Sequence, residues 1–239
     1  MSLLRVKFVN TFWFRLLRID PSIIQQQRSF MNRISKQQLI RAALGGLQLA
    51  ERKFSKQTCH NLAFARAPEY LLTTYIAEQL HKAAPNHMTW FEFHLAQARL
   101  AARGHDVMNP EDKRKRGGRC DILMCWASSR EPRAAFEVKR DVRSLSTIKA
   151  DTTRIIGLLD GGVEGNTLQF GAVMFSTMAE CVHGQKIIRD RIALFRKSLL
   201  DWQNIEGHHN LRLNIISGGI KKRRAGDFWA PLALIAERA

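Results

Sequence analysis

Apolar residues recur along this chain with one period before residue 120 and with another after it. In the first part they return every three to four positions. Leu39, Ile40, Ala43, Leu44 and Leu47 predict a helix within 33–53, although Gly45 and Gly46 fall inside the pattern and argue against one unbroken helix. Leu71, Leu72, Tyr75, Ile76 and Leu80 form the stripe of a helix over 67–83, with Pro68 suited to its first turn and Glu69 to the positive end of its dipole. Residues 89–95 fit a strand or the start of a helix. Residues 95–103 read as a helix closed by Gly104, and 107–118 as a polar connection holding Pro110.

From Cys120 the pattern changes. The apolar run 120–126, a turn-rich stretch containing Ser128, Ser129 and Pro132, and a second apolar run 134–138 closed by Lys139 predict a β-hairpin. A helix is expected over 144–159, a buried strand over 168–176, a helix over 187–202, and strands over 211–216 and 228–236. Helices and strands that alternate after a central hairpin predict an α/β domain with a mixed central sheet flanked by helices. Residues 1–66 contain twelve Lys or Arg but only Asp20 and Glu51 as acids, so they read as a basic, mostly helical N-terminal extension ahead of a domain at 67–239. Within the extension, residues 1–30 are rich in Arg, Gln and aromatics with weak periodicity.

Charge narrows the function. There are 38 Lys and Arg against 21 Asp and Glu, a net charge of +17, which favours a polyanionic partner, with nucleic acid ahead of an anionic membrane. No apolar run is long enough to span a bilayer. Cys59, Cys120, Cys125 and Cys181 show neither CxxC nor zinc-finger spacing, and read as buried thiols of a cytoplasmic protein. The segment Gly161-Gly162-Val163-Glu164-Gly165 lacks the GK[ST] of a phosphate-binding loop and reads as a turn; His208 and His209 read as surface residues. Trp13, Trp90, Trp126, Trp202 and Trp229 are expected in the core rather than as base-stacking platforms.

Hydrolysis of a phosphodiester needs an activated water and a means of absorbing charge on phosphorus. Mg²⁺ can supply both, held by one or two carboxylates, with a nearby Lys as an aid. Three Glu-x-Lys triplets occur. Glu51/Lys53 lies in the basic helical segment and Glu111/Lys113 in a polar loop. Only Glu137/Lys139 is set in an apolar strand, where alternation puts both side chains on one face. A hairpin turning near residue 130 would set Asp121 opposite Lys139 and Leu123 opposite Glu137, gathering three charges at one strand end. Such a cluster is costly to bury without a function.

The run Arg119-Cys120-Asp121-Ile122-Leu123, a short hairpin, and Phe136-Glu137-Val138-Lys139 resembles the core of the PD-(D/E)xK nuclease superfamily, with Cys120 where the motif has Pro. The resemblance implies a restriction-endonuclease-like sheet built as helix, three strands, helix, strand, matching 68–176 here. It implies that Asp121 and Glu137 bind Mg²⁺ or Mn²⁺ with help from the Val138 carbonyl, and that Lys139 assists the attacking water. Glu69 matches an extra acid on the leading helix, Glu92 is a second candidate for that role, and Asp151 and Arg154 stand one turn apart on the helix after the motif. The substrate expected is DNA ahead of RNA, in a restriction, repair or phage-defence setting, with a homodimer as one arrangement. The rival reading is a non-catalytic nucleic-acid-binding module on a degenerate nuclease fold. For phosphate contacts the candidates are Lys113, Arg114, Lys115 and Arg116, the flanking Arg119 and Arg140, and the run from Lys221 to Arg224.

Overall fold

Ser35 opens the first helix with a reciprocal cap. Its hydroxyl accepts from the Gln38 N–H at 3.2 Å, and the Gln38 side chain accepts from the Ser35 N–H at 2.8 Å. In the computed structural model of the chain, residues 34–102, 118–160, 166–205, 210–223 and 226–239 are described. One compact unit spans Ser35–Ala239. The predicted boundary at 66/67 therefore moves back to about residue 35, because the apolar stripe of the first helix (Leu39, Ile40, Ala43, Leu47, Ala50) is buried in that unit. A stripe of this kind needs a partner surface, whatever the charge of the opposite face.

Helix α1 (Lys36–Gln57) runs unbroken through Gly45 and Gly46. It packs on α2 (Glu69–Ala83), and a Cβ at Gly46 would stand 2.5 Å from the Ile76 Cα. The glycine that argued against an unbroken helix is what lets the two backbones meet. Strand β1 (His87–His94) follows, then the short α3 (Leu95–Ala101), β2 (Arg119–Trp126) and β3 (Pro132–Lys139). A 3-10 turn, Leu145–Ile148, leads into α4 (Lys149–Asp160). Strand β4 (Phe170–Ala179), α5 (Gly184–Ile205), β5 (Leu211–Ser217), the two-residue β6 (Lys221–Lys222) and β7 (Phe228–Arg238) complete the unit.

The seven strands form one mixed sheet in the order β1-β2-β3-β4-β7-β5, with β6 on β7. Strands β1, β2 and β3 are antiparallel neighbours, β3 and β4 are parallel across the α4 crossover, and β7 is antiparallel to β4. Helices α1 and α2 contact β1, β2, β3, β4 and β7, and α4 and α5 contact β3, β4, β5 and β7, so the molecule is α/β with a helix-flanked sheet. The middle strands are buried on both faces, as their unbroken apolar runs require. Pro231 is tolerated in β7 because it lies just beyond the last β5 pair, Ser217 with Leu232, and before the first β6 pair, Lys221 with Trp229.

The hairpin pairs two residues away from the expected register. Leu123 faces Ala135 rather than Glu137, and Ile122 faces Phe136. Two features explain the shift: an irregularity between Met124 and Cys125, and a tight turn in which the Arg130 N–H donates to the Trp126 carbonyl at 2.8 Å with Arg130 at φ 59°. A slip of two residues preserves the facing of every side chain, so the strand-face assignment survives it.

Two further expectations change. Cys120 and Cys125 are buried, but Cys59 and Cys181 are exposed. Trp229 is buried, whereas Trp90 on the outermost strand β1 is 46% exposed, its ring 6.0 Å from that of Phe93. Among the described residues no helix is long and apolar enough to cross a membrane.

Candidate active site

Antiparallel pairing brings the start of β2 to the same end of the sheet as the end of β3. Asp121, second after Arg119 in β2, thus meets the Glu137-Val138-Lys139 end of β3. Beyond Ile122 the β2–β3 ladder stops, and the Asp121 carboxylate takes the place of a strand partner: its Oδ2 accepts from the Val138 N–H at 2.6 Å. An extended residue turns its N–H and C=O to the same side, so the Val138 carbonyl also faces this gap.

Glu137 is 1% exposed. It sits on the α4 side of the sheet, where Arg154 donates from Nε to its Oε1 at 3.1 Å. Through Nη2 the same guanidinium holds Asp151, which is in the first turn of α4. Lys139 Nζ lies 3.9 Å from Asp151 Oδ1 and 3.6 Å from Glu69 Oε2. Glu69 is delivered by the first turn of α2, and its Oε1 accepts from the Arg140 N–H at 3.4 Å. A continuous chain of charges results: Glu69, Lys139, Asp151, Arg154, Glu137. Asp121 stands beside it.

Glu92 approaches from β1. The pairs Phe91–Ile122 and Phe93–Cys120 bracket it opposite Asp121. It is exposed and has φ 51°, a left-handed conformation unusual for a glutamate in a strand.

Two acids of this site, Glu137 and Asp121, are raised above their ordinary range. Burial pushes the Glu137 pKa up to about 7; the Arg154 hydrogen bond and charge restrain the rise, while Asp121 and Asp151 add to it. The Asp121 carboxyl is also raised, first by burial. The Val138 N–H and Lys139 oppose that shift, and Glu92 and Glu69 reinforce it. Burial likewise pushes the neighbouring Cys120 thiol up to about 12, so it stays protonated and serves as packing.

The structure therefore brings Asp121, Glu137, Lys139, Glu69 and Val138 together, and it recruits Asp151 and Arg154. Arg119 and Arg140 are exposed at the same end of the sheet. Lys113, Arg114, Lys115, Arg116, Arg224, Gly161 to Gly165, His208, His209, Trp13 and the segment 1–30 lie outside the described residues. Arg223 is corrected. Its side chain is 3% exposed and commits four of its five N–H groups to Glu51, Asp227, Ser55 and the Leu62 carbonyl, so it is buried in the fold rather than presented to a phosphate. Lys221 and Lys222 remain exposed on β6.

Sequence reasoning missed a cavity of about 330 Å³ beside Lys139, lined also by Asp141, Val142 and Thr147. No motif marks those residues. Their only signal is position, directly after the strand that carries the site.

Among the described residues, no three His, Cys, Asp or Glu side chains converge to hold a metal ion. The donors present are Asp121, Glu137 and the Val138 carbonyl. In kind they fit Mg²⁺, which takes one or two carboxylates and completes its shell with water and phosphate oxygens. A buried and a half-buried acid, both raised above their ordinary range, also fit a divalent cation. No family model, no curated protein and no solved structure matches the chain.

Proposed function

We propose that this protein is a metal-dependent nuclease of PD-(D/E)xK type, hydrolysing phosphodiester bonds at the end of β2 and β3. The observation that carries the reading is the arrival of two acids raised by burial, Asp121 and Glu137, at one strand end with Lys139. The element order supports it: with the short α3 inserted between β1 and β2, α2, three antiparallel strands, α4 and the parallel β4 follow the helix, three strands, helix, strand expected of that core. The net charge of +17 suits a nucleic-acid substrate.

Bound Mg²⁺ or Mn²⁺ would lower the pKa of a water and absorb charge on the phosphate. The protein's own groups supply the rest. Asp121 and Glu137 offer carboxylate oxygens from two adjacent strands. Arg154 fixes the orientation of Glu137 from α4, as a positioning residue. Lys139 is held between Glu69 and Asp151, where its ammonium can stabilise the charge that develops as water attacks phosphorus. Exposed Arg119 and Arg140 border the site and hold flanking phosphates without reading sequence.

The test is cleavage of plasmid, single-stranded DNA and structured RNA in Mg²⁺, Mn²⁺ or EDTA, with Glu137→Ala and Lys139→Ala beside the wild type. Metal-dependent cutting lost in both variants is expected. Binding without cutting under every condition, unchanged in Glu137→Ala, would assign the fold to the non-catalytic reading.

A further inference from the structure

The cavity beside Lys139 has no occupant in the chemistry above, yet Lys139, Glu69 and Arg140 of the candidate site are among its walls. Whatever fills it stands next to the phosphate under attack. Its charges balance: Lys139 and Arg140 face Glu69 and Asp141. That is unlike the surface of a chain carrying +17, and two carboxylates make it a poor phosphate site. Both acids are partly committed. Asp141 accepts from the Met178 N–H at 3.2 Å and from Arg143 Nε at 2.9 Å, and Glu69 accepts from the Arg140 N–H. The remaining lining is apolar or neutral: Ala65, Val142 and Ile148, with the Thr147 hydroxyl. At about 330 Å³ the space lies at the lower end of small-ligand sites, which run from roughly 300 to 1,000 Å³. A lining half neutral and half charged, with its donors and acceptors in balance, suits a flat, neutral ring with a polar edge.

We propose that this cavity takes one unpaired nucleobase of the substrate strand, so that the protein acts on single-stranded or frayed nucleic acid. The inference rests on the nuclease reading of the adjoining site. A base in a duplex is stacked and paired and cannot enter a concave site; an unpaired base enters without that cost. Beside Glu69 in the first turn of α2, Tyr70 is 73% exposed and offers an aromatic face to the next base of a single strand.

The experiment measures affinity by fluorescence anisotropy, in EDTA so that nothing is cut, for one labelled DNA oligonucleotide alone and as a blunt duplex. The wild type should bind the single strand at least ~10-fold more tightly, the size of a stacked and enclosed base. Two variants fill the cavity from different sides, Thr147→Trp and Ala65→Phe. Each should bring the two affinities to within about threefold and leave duplex affinity unchanged, with folding checked by circular dichroism. A 2-aminopurine probe moved along the single strand reads the wild type directly: its emission should change sharply at one position. Equal affinities in the wild type, a preference retained in a folded cavity-filling variant, or a uniform probe response would each overturn the proposal. Single-strand preference without cleavage under any metal would sink the nuclease reading alone and leave the base pocket standing.

Discussion

Two buried charge clusters in this molecule use the same residue types for different ends. In one, Arg223 ties Glu51 and Ser55 of α1 to Asp227 at the start of β7 and to the Leu62 carbonyl. It is closed: the Arg223 side chain is 3% exposed and commits four of its five N–H groups, with Nε–Oε1 and Nη1–Oδ2 distances of 2.8 Å to its two acids. In the other, Arg154 and Lys139 serve Glu137, Asp151 and Glu69, and Asp121 leans on a backbone N–H. That cluster is open. Its cations are about a third exposed, against 3% for the Arg223 side chain, and Glu137 is displaced to about 7. A closed cluster locks two elements together; an open one keeps carboxylates that a cation can satisfy.

The contrast breaks most sharply in activity. Glu137→Ala should abolish metal-dependent cleavage, by about a thousandfold or more in kcat/KM, the scale set by removing one group that stabilises a transition state. The matched change in the closed cluster, Arg223→Met, should leave specific activity intact and destabilise the fold by about 3–5 kcal/mol, because Glu51 and Asp227 would stay buried without their cation. Chemical denaturation beside a cleavage assay separates the two. Retained activity in the first variant would remove the distinction.

The pH dependence of stability sharpens it next. Folded Glu137 holds its proton up to about 7, against an ordinary 4.5 for a glutamate. Between those values the folded chain binds the extra proton, so stability is fullest below about 4.5 and falls as the pH rises through about 7. In EDTA, Glu137→Gln should therefore gain about 3 kcal/mol at pH 8 and nothing at pH 4. A constant gain across that range would show that burial is not the cause of the shift.

Smaller effects mark the frame. Gly46→Ala puts a methyl against the Ile76 backbone and should cost about 1–3 kcal/mol in thermal or urea unfolding. Lys222→Ala, on an exposed two-residue strand, should change stability by less than about 0.5 kcal/mol.

Much of the candidate site was legible because strand chemistry is local. Glu137 and Lys139 share a face by alternation, and only one Glu-x-Lys triplet sits in an apolar strand. The turn-rich stretch between the two apolar runs announced the hairpin that carries Asp121 to that strand. Other features were illegible because they depend on distant segments. Arg223 looked like one more member of a basic run until Glu51 and Asp227 were found around it. Glu69 was as readily a first-turn acid as a site residue, and only the docking of α2 against β3 puts it beside Lys139. Asp151 and Arg154 were one turn apart in either case, but their meeting with Glu137 follows from the crossover that lays α4 on the sheet.

By itself the sequence determined most of the helices and strands, the α/β class and the face that Glu137 and Lys139 share, since these follow from the period of its apolar residues and from turn chemistry; it left 89–95 open between strand and helix and gave no sign of β6. Tertiary structure decided the hairpin register, the inclusion of α1 in the compact unit and the division of the charged residues between a closed lock and an open site. The reason is physical: periodicity is written in neighbouring residues, whereas the neutralisation of a buried charge depends on what the rest of the chain brings to it.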